Sequence, residues 1–231
     1  VIDFQGYLNS NNSFIVKELS IIDVDQPTNL KHWLFKPPNQ FHGNPNSPTN
    51  AWIYKNLHGI KWQDGSTDYA ELENILKTST RSYTFLFAKG YEKCIYLEQI
   101  IGREVFNLQD FGCPSLKCLP SLYITKCDYH NGVKYNCSLK FAKKLSWWLH
   151  QNRSNVDFNN AKVREKTYNH WRGVLNPEIL AFHGFIHSGK FHTIKCVYCN
   201  AEFDENITEC PCNMHKLYNA NCMWFIKQNI Y

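Results

Sequence analysis

The chain has 231 residues, 43% of them hydrophobic and 15% aromatic, a composition that fits a packed globule of one or two domains and excludes a disordered chain. Its formal charge of +5 permits contact with nucleic acid without arguing for it, because phosphate affinity comes from clustered Lys and Arg. Ten cysteines are too few for a disulfide scaffold of this length, no apolar run approaches the ~18 residues of a membrane span, and no signal-peptide pattern opens the chain, so an intracellular protein, cytoplasmic or nuclear, is expected.

In chain order, "VIDFQGYL" and "SFIVKELSIID" are β-rich runs joined by the turn "NSNN", and "HWLFKP" offers a third strand. "KPPNQFHGNPNSPTN", residues 36–50, reads as a long loop inside the same domain. Helices follow near "PTNAWIYKNL" and at "DYAELENILKT". In the second of these Asp68 is placed to cap, with Glu71 three residues on, and Tyr69, Leu72, Ile75 and Leu76 share one face. "YTFLFAK" reads as a continuous apolar strand for the middle of a sheet covered on both sides. "EKCIYLEQII" returns to helix, "EVFNL" to strand, and "SLKFAKKLSWWL" closes the domain as an amphipathic helix with Leu139, Ala142, Leu145 and Leu149 inward. Cys94 is expected in the core, and Cys113 and Cys118 are expected as buried small hydrophobes, with a place in a metal site as the alternative. The polar, Asn-rich interval 151–160 is the expected linker, dividing a domain over 1–150 from one over 161–231.

The strongest chemical signal lies in the second domain. Cys196 and Cys199 stand as Cys-x2-Cys, His215 follows after fifteen residues and Cys222 after six more, which supplies three thiolates and one imidazole for a tetrahedral zinc. Four protein donors make a closed, structural site, since a catalytic zinc keeps one position for water. The competing use of these residues is disulfide formation, for which Cys210 and Cys212 lie nearby. A second run, Cys127-x2-His130-x6-Cys137, places three ligand-type residues ahead of a helix, against the plainer reading of buried thiols and a core histidine.

Around the first quartet the chain resembles a baculoviral inhibitor-of-apoptosis repeat (BIR) over about residues 161–231. The matching positions are Arg164, Tyr168 and Trp171, then Leu180, Ala181, Gly184, Phe185, Ser188 and Gly189, then the cysteines and histidine. The resemblance implies a small α+β zinc fold that binds protein. Many such domains take a peptide with a free N-terminal Ala beside a sheet edge, its amine held by an acidic residue. Here Phe203 would flank that groove, Glu209 would hold the amine and Tyr218 stands where the floor Trp is usual. A groove Trp expected about three residues beyond Phe203 is replaced by Asn206 and Ile207, so a BIR with no such groove is the alternative.

Three antiparallel strands followed by α-β-α-β-α is the order of the ribonuclease H-like exonuclease fold, and the expected fold class is α/β of that kind, a mixed sheet with helices, plus the BIR. In the resembling DEDDh exonucleases an Asp-x-Glu opens the first strand and four carboxylates hold two metal ions. This chain has Asp3 but Gln5 in place of the Glu, and Lys89 and Glu92 where a further Asp would be sought. The Cys127/His130/Cys137 run resembles the Maelstrom domain, an exonuclease-like fold without the catalytic carboxylates, and that resemblance implies a zinc held by those three residues and Glu18. The expectation is therefore a non-catalytic interaction protein with about two Zn2+ per chain, inhibitor-of-apoptosis-like or a host-defence component, taking a protein or peptide partner at the BIR. The alternative is a Maelstrom-type protein that binds or cuts single-stranded RNA through its first domain, with Lys31, Trp33, Lys36, Lys61 and Trp62 as a platform.

Overall fold

The computed structural model describes residues 1–41, 43–121, 127, 129, 136–188, 193–204 and 206–228. The chain forms two compact units, the first from residues 1–109 and 113–151, the second from 110–112 and 152–231.

In the first unit, β1 (Ile2–Leu8), β2 (Phe14–Ile22) and β3 (Leu30–Leu34) make an antiparallel sheet in the order β1-β2-β3. The central strand β2 is buried on both faces, although its sequence "FIVKELSII" carries Lys17 and Glu18 side by side. A β-bulge accommodates them: Gly6 pairs with Val16 and Gln5 with Glu18, which leaves Lys17 as the extra residue. The chains approach closely there, and a Cβ on Gly6 would lie 1.9 Å from the Ile15 carbonyl oxygen, so glycine is required.

α1 (Pro48–Ile53) runs into one π-helical turn, Tyr54–His58, that ends at Gly59 with φ +65°. α2 (Leu72–Thr80) is preceded by a 3-10 turn over Tyr69–Glu71, and Asp68 caps it by accepting from the Ala70 N–H. Leu72 and Leu76 are fully buried, with Tyr69 and Ile75 packed at the margin of the same core. β4 (Phe87–Ala88), α3 (Tyr91–Ile101) and β5 (Phe106–Asn107) form a parallel crossover unit. Here the expectation fails in extent: "YTFLFAK" yields two strand residues, and its ladder joins β5 alone. The Arg103 guanidinium takes the carbonyls of Tyr83 and Thr84, which a longer strand would use for pairing, and that of Thr80 at the end of α2. α4 (Ser138–Gln151) closes the unit with Leu139, Ala142, Leu145 and Leu149 all buried. Cys94 and Cys113 are buried as expected. Cys118 is exposed, its sulfur 3.1 Å from the Ser115 hydroxyl, because it ends a surface turn.

The interval read as a linker carries a 3-10 turn over Arg153–Val156 and a buried Phe158 that meets Phe111 edge to face. The second unit continues with α5 (Ala161–Glu165), capped by Asn160, and α6 (Pro177–Phe182), capped by Asn176 with Pro177 at its first position. A three-stranded antiparallel sheet follows in the order β6-β7-β8, from β6 (Phe185–Ser188), β7 (Thr193–Cys196) and β8 (Glu202–Asp204). α7 (Pro211–Tyr218) and α8 (Met223–Gln228) complete it.

Candidate metal centres and binding surfaces

The turn between β7 and β8 builds the first half of a metal site. Asn200 adopts φ +60°, its N–H bonds the Cys196 carbonyl, and the Tyr198 N–H points at the Cys196 sulfur at 3.4 Å. This brings Cys196 at the end of β7 and Cys199 in the turn to one side. α7 contributes His215 and the start of α8 contributes Cys222, and the ligand atoms of all four lie within 4.8 Å of one another. Cys196 and Cys222 are 3.7 Å apart at sulfur, and His215 Nε2 is 2.9 Å from Cys196. Donors about 2.0–2.3 Å from a tetrahedral zinc stand about 3.3–3.8 Å from each other, so the thiol pair is already at the edge length and the imidazole slightly inside it.

The surroundings fix that imidazole. His215 is sandwiched between Phe185, at 4.6 Å, and Trp224, at 5.5 Å, both rings nearly parallel to it. Burial, with His183 adding to it, pushes its pKa down to about 4, so at neutral pH it is the neutral form that ligates metals. Burial likewise raises the Cys196 thiol. Three cysteines, of which Cys196 and Cys222 are buried and Cys199 half-buried, and a buried imidazole would as thiolates and neutral ring find their counter-charge in a divalent cation, and the donor set fits zinc. All ten cysteines are free thiols; Cys212 stands 3.3 Å from His183 Nδ1 and is not bridged to Cys210.

Arg164 ties this unit together. Its buried guanidinium donates to the carbonyls of Ala181 and Phe158 and lies over the Tyr198 ring. Gly184, at φ +89°, lets the chain pass beneath Tyr198 and Trp224, where a Cβ would sit 3.0–3.1 Å from both rings. Trp171 donates from Nε1 to the Leu175 carbonyl and packs on the core that contains Phe185. Gly189 lies outside the described residues.

Of the groove residues, Phe203 is buried in the middle of β8, the edge strand, and meets Tyr218 edge to face at 4.8 Å. Tyr218 is 68% exposed at the end of α7. Glu209 is exposed in the turn ahead of α7, and on β8 Glu202 and Asp204 face solvent around Phe203.

In the first unit Glu18 is fully buried, and the Ser138 N–H, at the start of α4, donates to its Oε2 at 2.7 Å. Its Oε1 receives the Cys137 thiol at 3.5 Å and the Cys127 thiol at 3.7 Å. A hydrogen bond to Cys127, then burial and the Glu18 charge, hold the Cys137 thiol strongly protonated in the absence of a cation. His130 lies outside the described residues. The residue that the sequence reading missed is His32 of β3, whose Nε2 is 2.9 Å from Glu18 Oε1.

Asp3 is buried near the start of β1, and both oxygens of its carboxylate are engaged: Lys93 of α3 donates to Oδ1 at 2.7 Å and Gln5 to Oδ2 at 3.2 Å. Lys93 also donates to the Phe4 carbonyl. Burial raises the Asp3 pKa while the Lys93 ammonium lowers it. Of the expected platform, Trp33 packs on the core and Trp62 meets Tyr7 edge to face, Phe41 at a tilt and the Lys17 ammonium over its ring, whereas Lys31, Lys36 and Lys61 are exposed. No helix among the described residues is long and apolar enough to cross a membrane.

Compared with known protein families, residues 164–226 match the BIR family, described as the Inhibitor of Apoptosis domain. No curated protein compared with the chain matches it. The matched segment contains the whole Cys196, Cys199, His215 and Cys222 cluster, and a BIR is a small α+β fold that binds zinc.

Proposed function

We propose that this chain is a non-catalytic, zinc-carrying interaction protein in which the BIR reads the N-terminus of a protein partner and the first unit is a degenerate exonuclease-like domain. The observation that carries the reading is the closed set of four donors, Cys196, Cys199, His215 and Cys222, inside the segment matched to the BIR family. Zinc bound there would supply folding free energy and no open coordination position for a substrate. What remains for function is surface: β8 is an edge strand of its sheet, exposed Tyr218 meets its Phe203, and Glu209 is an exposed acid ahead of α7. An extended peptide added along β8 would place a positively charged amine within reach of that carboxylate.

For the first unit, support comes from charge. A two-metal nuclease needs several carboxylates free to face divalent ions, and here Asp3 is already neutralised by the Lys93 ammonium, with Gln5 where a second carboxylate is expected. Glu18, Cys127 and Cys137 converge instead as donors for a second zinc, with an imidazole completing the set, which the resemblance assigns to His130.

The test is a titration with a short peptide beginning in a free Ala, read by calorimetry. Binding in the micromolar range is expected. Acetylating the amine should abolish it, and Glu209→Gln should weaken it by ~1.5–3 kcal/mol, the range for a hydrogen bond to a charged group. Equal binding of the acetylated peptide would refute the groove assignment.

A further inference from the structure

β-Sheet register identifies a donor that the local sequence motif does not contain. β2 and β3 are antiparallel with Ser20 directly opposite His32. Residues opposite one another project to the same face, and so do residues two apart on one strand, so His32, Ser20 and Glu18 share one face of the sheet. The start of α4 covers that face: the Ser20 hydroxyl meets the Ser138 hydroxyl at 2.7 Å, and Cys137 immediately precedes Ser138. Three groups therefore converge on the single oxygen Glu18 Oε1, with His32 Nε2 at 2.9 Å, Cys137 Sγ at 3.5 Å and Cys127 Sγ at 3.7 Å. The ligand atoms of Glu18, His32 and Cys127 all lie within 4.8 Å of one another.

We propose that His32 is a zinc ligand, and that Glu18, His32, Cys127 and Cys137 form a closed four-donor site in the first unit. The inference rests on the reading that this unit carries a zinc, and it assigns the imidazole of that site to β3. The separations from Oε1 fall within about half an ångström of the roughly 3.3–3.8 Å edges of a tetrahedral zinc polyhedron. The orientation of the carboxylate is set without the metal, because Oε2 accepts from the Ser138 N–H while Oε1 is the oxygen that His32, Cys127 and Cys137 approach. One carboxylate, one imidazole and two thiolates carry a formal charge of −3, which a divalent cation reduces to −1. That residue of charge is spread over a site bordered by the N–H groups at the start of a fourteen-residue helix. Two thiolates with an imidazole select zinc over magnesium or calcium, which favour all-oxygen sets.

A histidine that merely hydrogen-bonds Glu18 would occupy a similar place, so the experiment must separate ligand from neighbour. Zinc content of the full chain is measured for the native protein and for His32→Ala, His130→Ala and Cys127→Ser, with circular dichroism as the control for folding. Two ions in the native protein, one in His32→Ala and two in His130→Ala are expected. Two ions in His32→Ala with one in His130→Ala overturns the role of His32 and leaves the second zinc standing. One ion in the native protein that survives Cys127→Ser removes the second zinc altogether, and this proposal with it. Because His32→Ala could fail to fold, His32→Cys is loaded with Co2+ in parallel. A ligand at position 32 raises the thiolate-to-cobalt charge-transfer absorption from that of five sulfurs, Cys127, Cys137, Cys196, Cys199 and Cys222, to that of six. Unchanged intensity in folded, cobalt-loaded His32→Cys also overturns the proposal.

Discussion

Replacing Lys93 with Met would leave the buried Asp3 carboxylate without its ammonium, and the cost follows from the contacts. Asp3 is 2% exposed and would lose the 2.7 Å charge-assisted bond to Oδ1, and the Phe4 carbonyl would lose a donor as well. Breaking a fully buried ion pair by removing one partner costs about 3–5 kcal/mol. Two features reduce that here: the Lys93 side chain is 22% exposed and so partly hydrated, and Gln5 continues to donate to Oδ2. A loss of about 2–3 kcal/mol is therefore expected at about pH 8. The deficit should depend on pH with a definite sign. With the ammonium gone, burial raises the Asp3 pKa unopposed, so the folded state binds a proton before the unfolded state does. Stability relative to the native protein then recovers as pH falls, because the neutral carboxyl needs no counter-charge. Urea denaturation of the first unit at about pH 8 and about pH 5.5 measures both quantities. The pair Asp3→Asn and Lys93→Met, combined, should cost less than the sum of the single changes by about 1–2 kcal/mol. A Lys93→Met loss under about 0.5 kcal/mol, equal at both pH values, would refute the claim that the ammonium neutralises this site.

Cys196→Ser should remove one zinc ion and leave the second unit open to limited proteolysis, while the first unit stays protected, as read by metal analysis and fragment mapping. The second unit should lose stability as pH falls from about 6.5 to about 4. Burial holds His215 down at about 4 against an ordinary 6.5, and a zinc ligated there would oppose its protonation further, so the unfolded state takes up the proton first and acid thermal melts should show a falling midpoint. Gly184→Ala should destabilise the same unit by about 1–3 kcal/mol in denaturant, since it combines a left-handed backbone with a clash against Tyr198 and Trp224.

What the sequence revealed depended on whether a feature was local. The Cys196-x2-Cys199 turn and the inward face of α4 are each written within a few turns of chain, and the structure contains both. β4 was misjudged in length because what shortens it is Arg103, more than a dozen residues away, occupying carbonyls that periodicity assigns to a ladder. His32 was missed for a related reason. In "LKHWL" it is one polar residue in an amphipathic strand, and only the pairing of Ser20 with His32 brings it to Glu18. A signal was present in Glu18 itself: an acid in the middle of a strand otherwise rich in apolar residues needs partners on the same face, and neighbouring strands are where to look for them.

The buried lysines follow the same logic. Binary patterning treats lysine as a surface residue, yet in the first unit Lys17 is fully buried and donates to the carbonyls of Phe35, Trp62 and Asp64, and Lys144 donates to those of Leu116 and Leu119. Each ammonium has three donors, and Lys17 and Lys144 direct theirs at several backbone carbonyls at once, which satisfies acceptors that burial would otherwise leave in need of a partner. Lys93 does the same for Asp3 and the Phe4 carbonyl. The three lysines thus act as fixed cations at places where backbone and carboxylate oxygens gather. A fixed cation differs from a bound metal ion in that it cannot exchange, cannot be chelated and has no coordination position to offer a substrate. The charge at Asp3 is therefore balanced by Lys93, a cation that the chain itself carries.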